Sequence, residues 1–150
     1  MKMNIFRTLA AAAVLAMLPS LAYADGPFDY YTLPPCRVVD TRNPTGTNGG
    51  PILSGNFTRG FSIRGACGVP INARAVTLNA TVTGASMASF ITLWPSNLSK
   101  PFTSTMNFVP ADMALANGAI VALGTGAQDL SVVNNEGTVH LLLDVTGYFK

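Results

Sequence analysis

From Ala75 to Thr83 the chain alternates without a break: Val76, Leu78, Ala80 and Val82 fall on one side, Thr77, Asn79, Thr81 and Thr83 on the other. A helix repeats its apolar positions every three or four residues, so a period of two predicts a β-strand with one buried and one wet face. Thr58 to Arg64 behaves alike, with Phe61 and Ile63 inward and Ser62 and Arg64 outward. Val139, Leu141, Leu143 and Val145 alternate against His140, Leu142 and Asp144. Because that second face is half apolar, this strand is expected at the centre of a sheet, covered on both sides.

Shorter strands are expected at Tyr30–Leu33, Arg37–Thr41, Phe90–Trp94, Thr105–Phe108, Ala119–Leu123 and Leu130–Val133. Between them stand turn-forming groups such as Asn43-Pro44, Asn48-Gly49-Gly50-Pro51, Gly68-Val69-Pro70 and Pro95-Ser96-Asn97. Asn135-Glu136-Gly137 reads as the turn of a hairpin, and Ala111–Ala116 as the one short helical segment. Thr41–Gly55 is the longest stretch without a strand signal. Many short strands with regular turns predict an all-β fold, an antiparallel two-sheet β-sandwich of jelly-roll or Ig-like type.

The start of the chain has the form of a bacterial secretory signal over residues 1–24. Lys2 and Arg7 precede an apolar run from Thr8 to Leu18, and Ala22 and Ala24 are the small residues a signal peptidase requires. The expected mature product is one domain, residues 25–150, exported to the periplasm, cell surface or extracellular space. No apolar run is long enough to span a membrane as a helix.

Two of the nine Lys and Arg lie in that leader, leaving seven against seven Asp and Glu, a formal balance of zero. Phosphate recognition requires clustered surplus positive charge, so nucleic acid is not an expected partner. Cys36 and Cys67 are the only cysteines, and an even count in an exported chain predicts one disulfide. Their spacing fits neither a redox pair nor a zinc site.

Catalytic constellations are missing from the pattern. His140 is the single histidine and sits inside a strand, and no serine occupies a G-x-S-x-G elbow. Asp40-Thr41-Arg42 departs from the Asp-Thr-Gly of aspartic proteases at the position where the backbone turn requires glycine. No acidic spacing matches a calcium loop, so no metal and no cofactor are expected. Arg37, Asp40, Arg42 and Asp144 are instead expected to form a structural polar network, since buried charge requires a partner.

The aromatics offer a different chemistry. If Tyr30, Tyr31 and Trp94 are exposed on one face, their rings can stack on sugars or anchor a protein.

Tyr31-Thr32-Leu33-Pro34-Pro35-Cys36-Arg37-Val38-Val39-Asp40-Thr41-Arg42, Cys67-Gly68-Val69-Pro70, Leu78-Asn79-Ala80-Thr81-Val82-Thr83 and Asp144-Val145-Thr146-Gly147-Tyr148-Phe149 together resemble an uncharacterised all-β domain that recurs in exported bacterial proteins. The likeness covers nearly all of the mature chain. It implies an extracellular or surface module and carries no catalytic residues across. The expected function is therefore a non-catalytic interaction or structural module, binding a protein partner or assembling with itself. A carbohydrate-binding module using the exposed aromatics is the alternative. A glycosidase built on the carboxylates of Asp40 and Asp144 is the more distant one.

Overall fold

The computed structural model describes residues 26–110 and 113–150. The expected leader, residues 1–24, lies outside the described residues, as do Asp25, Ala111 and Asp112. Nine strands follow in order: β1 (Tyr30–Asp40), β2 (Leu53–Ser54), β3 (Thr58–Phe61), β4 (Ala75–Thr83), β5 (Ser89–Pro95), β6 (Met106–Phe108), β7 (Ala114–Ala122), β8 (Leu130–Asn134) and β9 (Thr138–Phe149). No helix occurs among the described residues. Of the segment expected to be helical, Ala114–Ala116 lie in β7, which pairs with β4 residue by residue from Thr83↔Ala114 to Ala75↔Ala122. Tertiary pairing overrides the helical propensity of its alanines.

The strands form two antiparallel sheets, an arrangement that fits a sandwich. The first runs β1-β9-β4-β7, with β2 also on β9, and the second runs β3-β8-β5-β6. Between them lies the core. Val76, Leu78, Ala80 and Val82 of β4 and Leu141, Leu143 and Val145 of β9 pack in one cluster with Phe61, Ile63, Ile91, Leu93, Leu130 and Val132. The strict alternation of β4 survives in its burial, with every second residue sealed and the others half-exposed. β9 takes the central position expected of it, between β1 and β4. On its outer face Leu142 is buried, whereas His140 and Asp144 remain partly open.

Two expected strands, Tyr30–Leu33 and Arg37–Thr41, fuse into the single strand β1. Pro34 and Pro35 fall where the register against β9 slips between Thr32 and Cys36. Proline lacks a ladder donor, and an edge strand with a bulge is where a sheet tolerates it. The Cys36–Cys67 disulfide then ties β1 to the turn before Val69, with Cα atoms 5.7 Å apart. On the chain-entropy account, a bridge separated by 31 residues contributes roughly 3–4 kcal/mol.

The hairpin expected at Asn135-Glu136-Gly137 is a corner between sheets. β8 belongs to the second sheet and β9 to the first, and consecutive strands pair directly only at β5–β6. The buried Asn134 side chain holds the corner: its amide donates to the carbonyls of Glu136 (2.8 Å) and Gly137 (3.0 Å), and its oxygen accepts from the Ser89 hydroxyl.

Trp94 is likewise not an exposed platform. It is 6% exposed, and its ring N–H donates to the Leu98 carbonyl at 3.0 Å. Its outward-facing neighbour on β5, Thr92, is fully buried and donates to the Thr103 carbonyl. The loop after β5 thus folds back over the outer face of the second sheet.

Candidate interaction site

The polar residues of the first sheet meet on its outer face. Pairing of β1 with β9 sets Arg37 directly opposite Asp144. The guanidinium meets the carboxylate side-on, Nε to Oδ1 at 2.8 Å and Nη2 to Oδ2 at 3.0 Å. Arg42 grips Asp40 in the same two-pronged way, at 2.9 and 2.7 Å, and adds its backbone N–H at 3.1 Å. Arg37 Nη1 lies 3.6 Å from Asp40 Oδ2, so the four side chains alternate in sign along one row. The row is neutral, and each guanidinium commits two donors to a carboxylate of the row while remaining about half exposed.

Hydrogen bonding from Arg42 holds the Asp40 carboxyl down to about 2, although burial pushes the other way. At neutral pH Asp40 is therefore an ionised acceptor clamped by Arg42. Hydrogen bonding to Asp144 raises the guanidinium pKa of Arg37, and hydrogen bonding to Asp40 raises that of Arg42. His140 is engaged as well: Nδ1 lies 3.2 Å from the Thr41 hydroxyl, which accepts the Leu141 N–H at 2.8 Å. Among the described residues no group of three His, Cys, Asp or Glu could hold a metal. Among the described residues no helix is long and apolar enough to cross a membrane.

The aromatics do not form one surface. Tyr30 and Tyr31 are neighbours on a strand and point to opposite faces. Tyr30 lies on the outer face beside Phe149 (centroids 5.0 Å apart) and reaches the Thr77 hydroxyl at 3.1 Å. Tyr31 stacks on Tyr148 at 5.1 Å, with Lys150 Nζ 4.7 Å from its ring. Trp94 belongs to the other sheet. The structure brings Arg37, Asp40, Arg42 and Asp144 together and keeps Tyr30, Tyr31 and Trp94 apart.

Two arginine sites have no signature in the sequence. Arg59 donates to the carbonyls of Gly46 (2.9 Å), Gly49 (2.6 Å), Gly50 (2.7 Å) and Pro51 (2.6 Å), and lies over the Phe61 ring. Burial lowers its pKa. Arg64 pairs with Asp129 and donates to the carbonyls of Ala73 and Gly124. Backbone acceptors carry no residue code, so neither cage is readable from the chain. Both fix loops to sheet ends, Arg59 the segment after β1 and Arg64 the segments flanking β4 and β8.

What remains unsaturated is a sheet edge. Besides the two-residue β2 on β9, four strands form sheet edges: β3 and β6 have four and three residues, and β1 is broken by Pro34-Pro35 and two register slips. β7 is nine residues long, keeps one register throughout, and contains neither proline nor charge. It pairs with β4 alone among the described residues. A missed signal was present in the sequence: Ala114–Ala122 holds no gatekeeping Lys, Glu or Pro of the kind that usually blunts an edge.

No protein family, curated protein or solved structure matches this chain.

Proposed function

We propose that this chain is an exported, non-catalytic interaction module that joins protein partners by strand addition at β7. The observation that carries the reading is the contrast among the edges. Three are short or interrupted, while β7 offers a regular row of backbone donors and acceptors. The disulfide supports an oxidising location at the cell surface or in the extracellular space. Consumption of Arg37, Asp40, Arg42 and Asp144 in mutual ion pairs supports a scaffold role for them rather than a chemical one.

The test is binding of a labelled nine-residue peptide carrying the β7 sequence, followed by fluorescence anisotropy. Saturable binding by the wild type, lost in Ile120→Lys, is the expected result. Absence of binding to a wild type that is monomeric overturns strand addition.

A second reading, carbohydrate recognition, rests on a different place from the one the sequence suggested. A cleft of about 400 Å³ is lined by Phe90, Lys100, Phe102, Asn107 and Asn135. Phe102 is fully exposed at its wall, and rings beside amides suit a sugar face and its hydroxyls. Glycan-array binding that disappears in Phe102→Ala would favour this reading over strand addition.

A further inference from the structure

The strand-addition reading leaves the occupant of the β7 edge open, and the sequence of β7 itself narrows the choice. Its central residue is Gly118, and its apolar residues are arranged nearly symmetrically about it. If a second copy approaches antiparallel with a two-fold axis at Gly118, Leu115 of one copy faces Val121 of the other. Ala116 then faces Ile120, Ala114 faces Ala122, and Asn117 faces Ala119. Residues directly opposite in an antiparallel pair share a face, so this register also keeps the two outer faces together.

Register against β4 assigns those faces. Leu115, Ala119 and Val121 oppose Val82, Leu78 and Val76, all buried toward the core. Ala116 and Ile120 oppose Thr81 and Thr77 on the outer face. Ile120 is 69% exposed in the single chain, and the pairing sets it against the small side chain of Ala116 on both sides of the axis. Large meets small where bulk is exposed; on the inner face Leu115 meets Val121, while Asn117, whose amide donates to the Thr105 carbonyl of its own chain at 2.9 Å, meets the small Ala119.

Electrostatics permit the contact. β7 has no charged residue, and the outward-facing residues beside it on β4 are Ala75, Thr77, Asn79, Thr81 and Thr83. Like charges set directly opposite across strands repel, and neither β7 nor the outward-facing residues of β4 beside it carry any charge. The single chain leaves the axis open, since a Cβ built at Gly118 meets nothing within 4 Å.

We infer that β7 pairs with β7 of a second copy of this chain about a two-fold axis at Gly118, joining the two first sheets into one continuous sheet. The inference rests on the strand-addition reading and adds the partner and the symmetry. It also fixes the size of the assembly. Each copy has one open edge, an isologous contact consumes it, and β1, β3 and β6 offer no second edge for growth. The assembly therefore closes at two copies rather than extending as a fibre.

The experiment uses the exported chain with its disulfide intact, and measures mass by light scattering during size exclusion. The wild type is expected at twice the chain mass. Ile120→Lys, at an exposed outer-face position, is expected to halve that mass while leaving circular dichroism unchanged. Phe57→Lys, an equally exposed apolar residue remote from β7, is expected to leave the dimer intact. Gly118→Cys tests the register, because only residues at the axis meet their own copies. Under oxidation it should give a reducible species of twice the mass, whereas Ala114→Cys should not.

A wild type that is monomeric, or a dimer indifferent to Ile120→Lys, overturns the inference, as does a filament. If the wild type is monomeric yet binds the β7 peptide, strand addition stands and only the self-pairing falls. If it is monomeric and binds no peptide, both fall.

Discussion

Arg64 and Asp129 form the most enclosed ion pair among the described residues, their side chains only 18% and 10% exposed. One oxygen of Asp129 accepts the backbone N–H groups of Ile63 (2.6 Å) and Arg64 (2.8 Å), and the other faces the Arg64 guanidinium. That guanidinium also donates to the Ala73 and Gly124 carbonyls. A single carboxylate thus ties the end of β3 to the segment before β4 and the loop before β8.

Removing that carboxylate strands two backbone donors and a largely buried cation. Asp129→Ala is expected to cost about 3–5 kcal/mol, the range for breaking a buried pair by deleting one member. Urea denaturation followed by tryptophan fluorescence measures it. A loss under about 1 kcal/mol would mean that water replaces the carboxylate and that the pair does not hold the loops.

Asp40 makes stability depend on acid. Its carboxyl is held at about 2 in the folded chain, against roughly 3.9 for an unfolded aspartate. A depressed folded value stabilises above the unfolded value, and the contribution fades as pH falls through the folded one. The Asp40 term is therefore complete above about pH 4 and lost on going to about pH 2. Because Arg42 is half-exposed and solvent screens the pair, a contribution of roughly 1–2 kcal/mol is expected. Denaturation midpoints of wild type and Asp40→Asn should converge across that window. Parallel curves from pH 5 to pH 2 would remove Asp40 as the cause.

The parts of this fold legible in the sequence are those set by local periodicity. β4 could be read because each side chain's face follows from its neighbours two residues away. Pairing could not be read, because strands that follow one another in the chain mostly lie in different sheets. Thus Asn135-Glu136-Gly137 has hairpin chemistry and forms a corner. The face shared by Phe90 and Trp94 was equally legible, but its coverage depends on the Thr103 and Leu98 carbonyls folding back over it. The arginine cages were invisible for the same reason: the acceptors of Arg59 are carbonyls, and Asp129, which pairs with Arg64, lies 65 residues along the chain. Charge scarcity did indicate that Arg37, Asp40, Arg42 and Asp144 needed partners, though only strand register pairs Arg37 with Asp144.

Two glycines should respond in opposite directions to alanine. A Cβ at Gly49 would sit 2.3 Å from the Pro44 carbonyl oxygen, a backbone atom in a loop already held by Arg59. Gly49→Ala is expected to destabilise by roughly 1–3 kcal/mol, as overpacking does. Gly118 lies in a strand with open space around it, so Gly118→Ala should stabilise the single chain by about 0.5–1 kcal/mol through lost unfolded-state entropy. Thermal melts compare them directly, and a Gly49→Ala melt at or above the wild-type temperature would show that the loop yields freely.

Trp94 decides between a packing and a sugar-binding role for the largest aromatic. Its ring is buried and its N–H bonded to Leu98, so it holds the loop over β5 rather than facing a ligand. Trp94→Ala is expected to cost about 3–5 kcal/mol of stability. It should also expose Thr92 and the segment around Thr103 to hydrogen exchange. Phe102→Ala, by contrast, removes a ring that lies in solvent and should change stability by less than about 0.5 kcal/mol. The pair separates the two roles: a stable Trp94→Ala protein that has lost binding to any glycan would return Trp94 to the ligand surface. An unstable one in which Phe102→Ala alone alters glycan binding would leave the sugar reading to the cleft at Phe90 and Asn107.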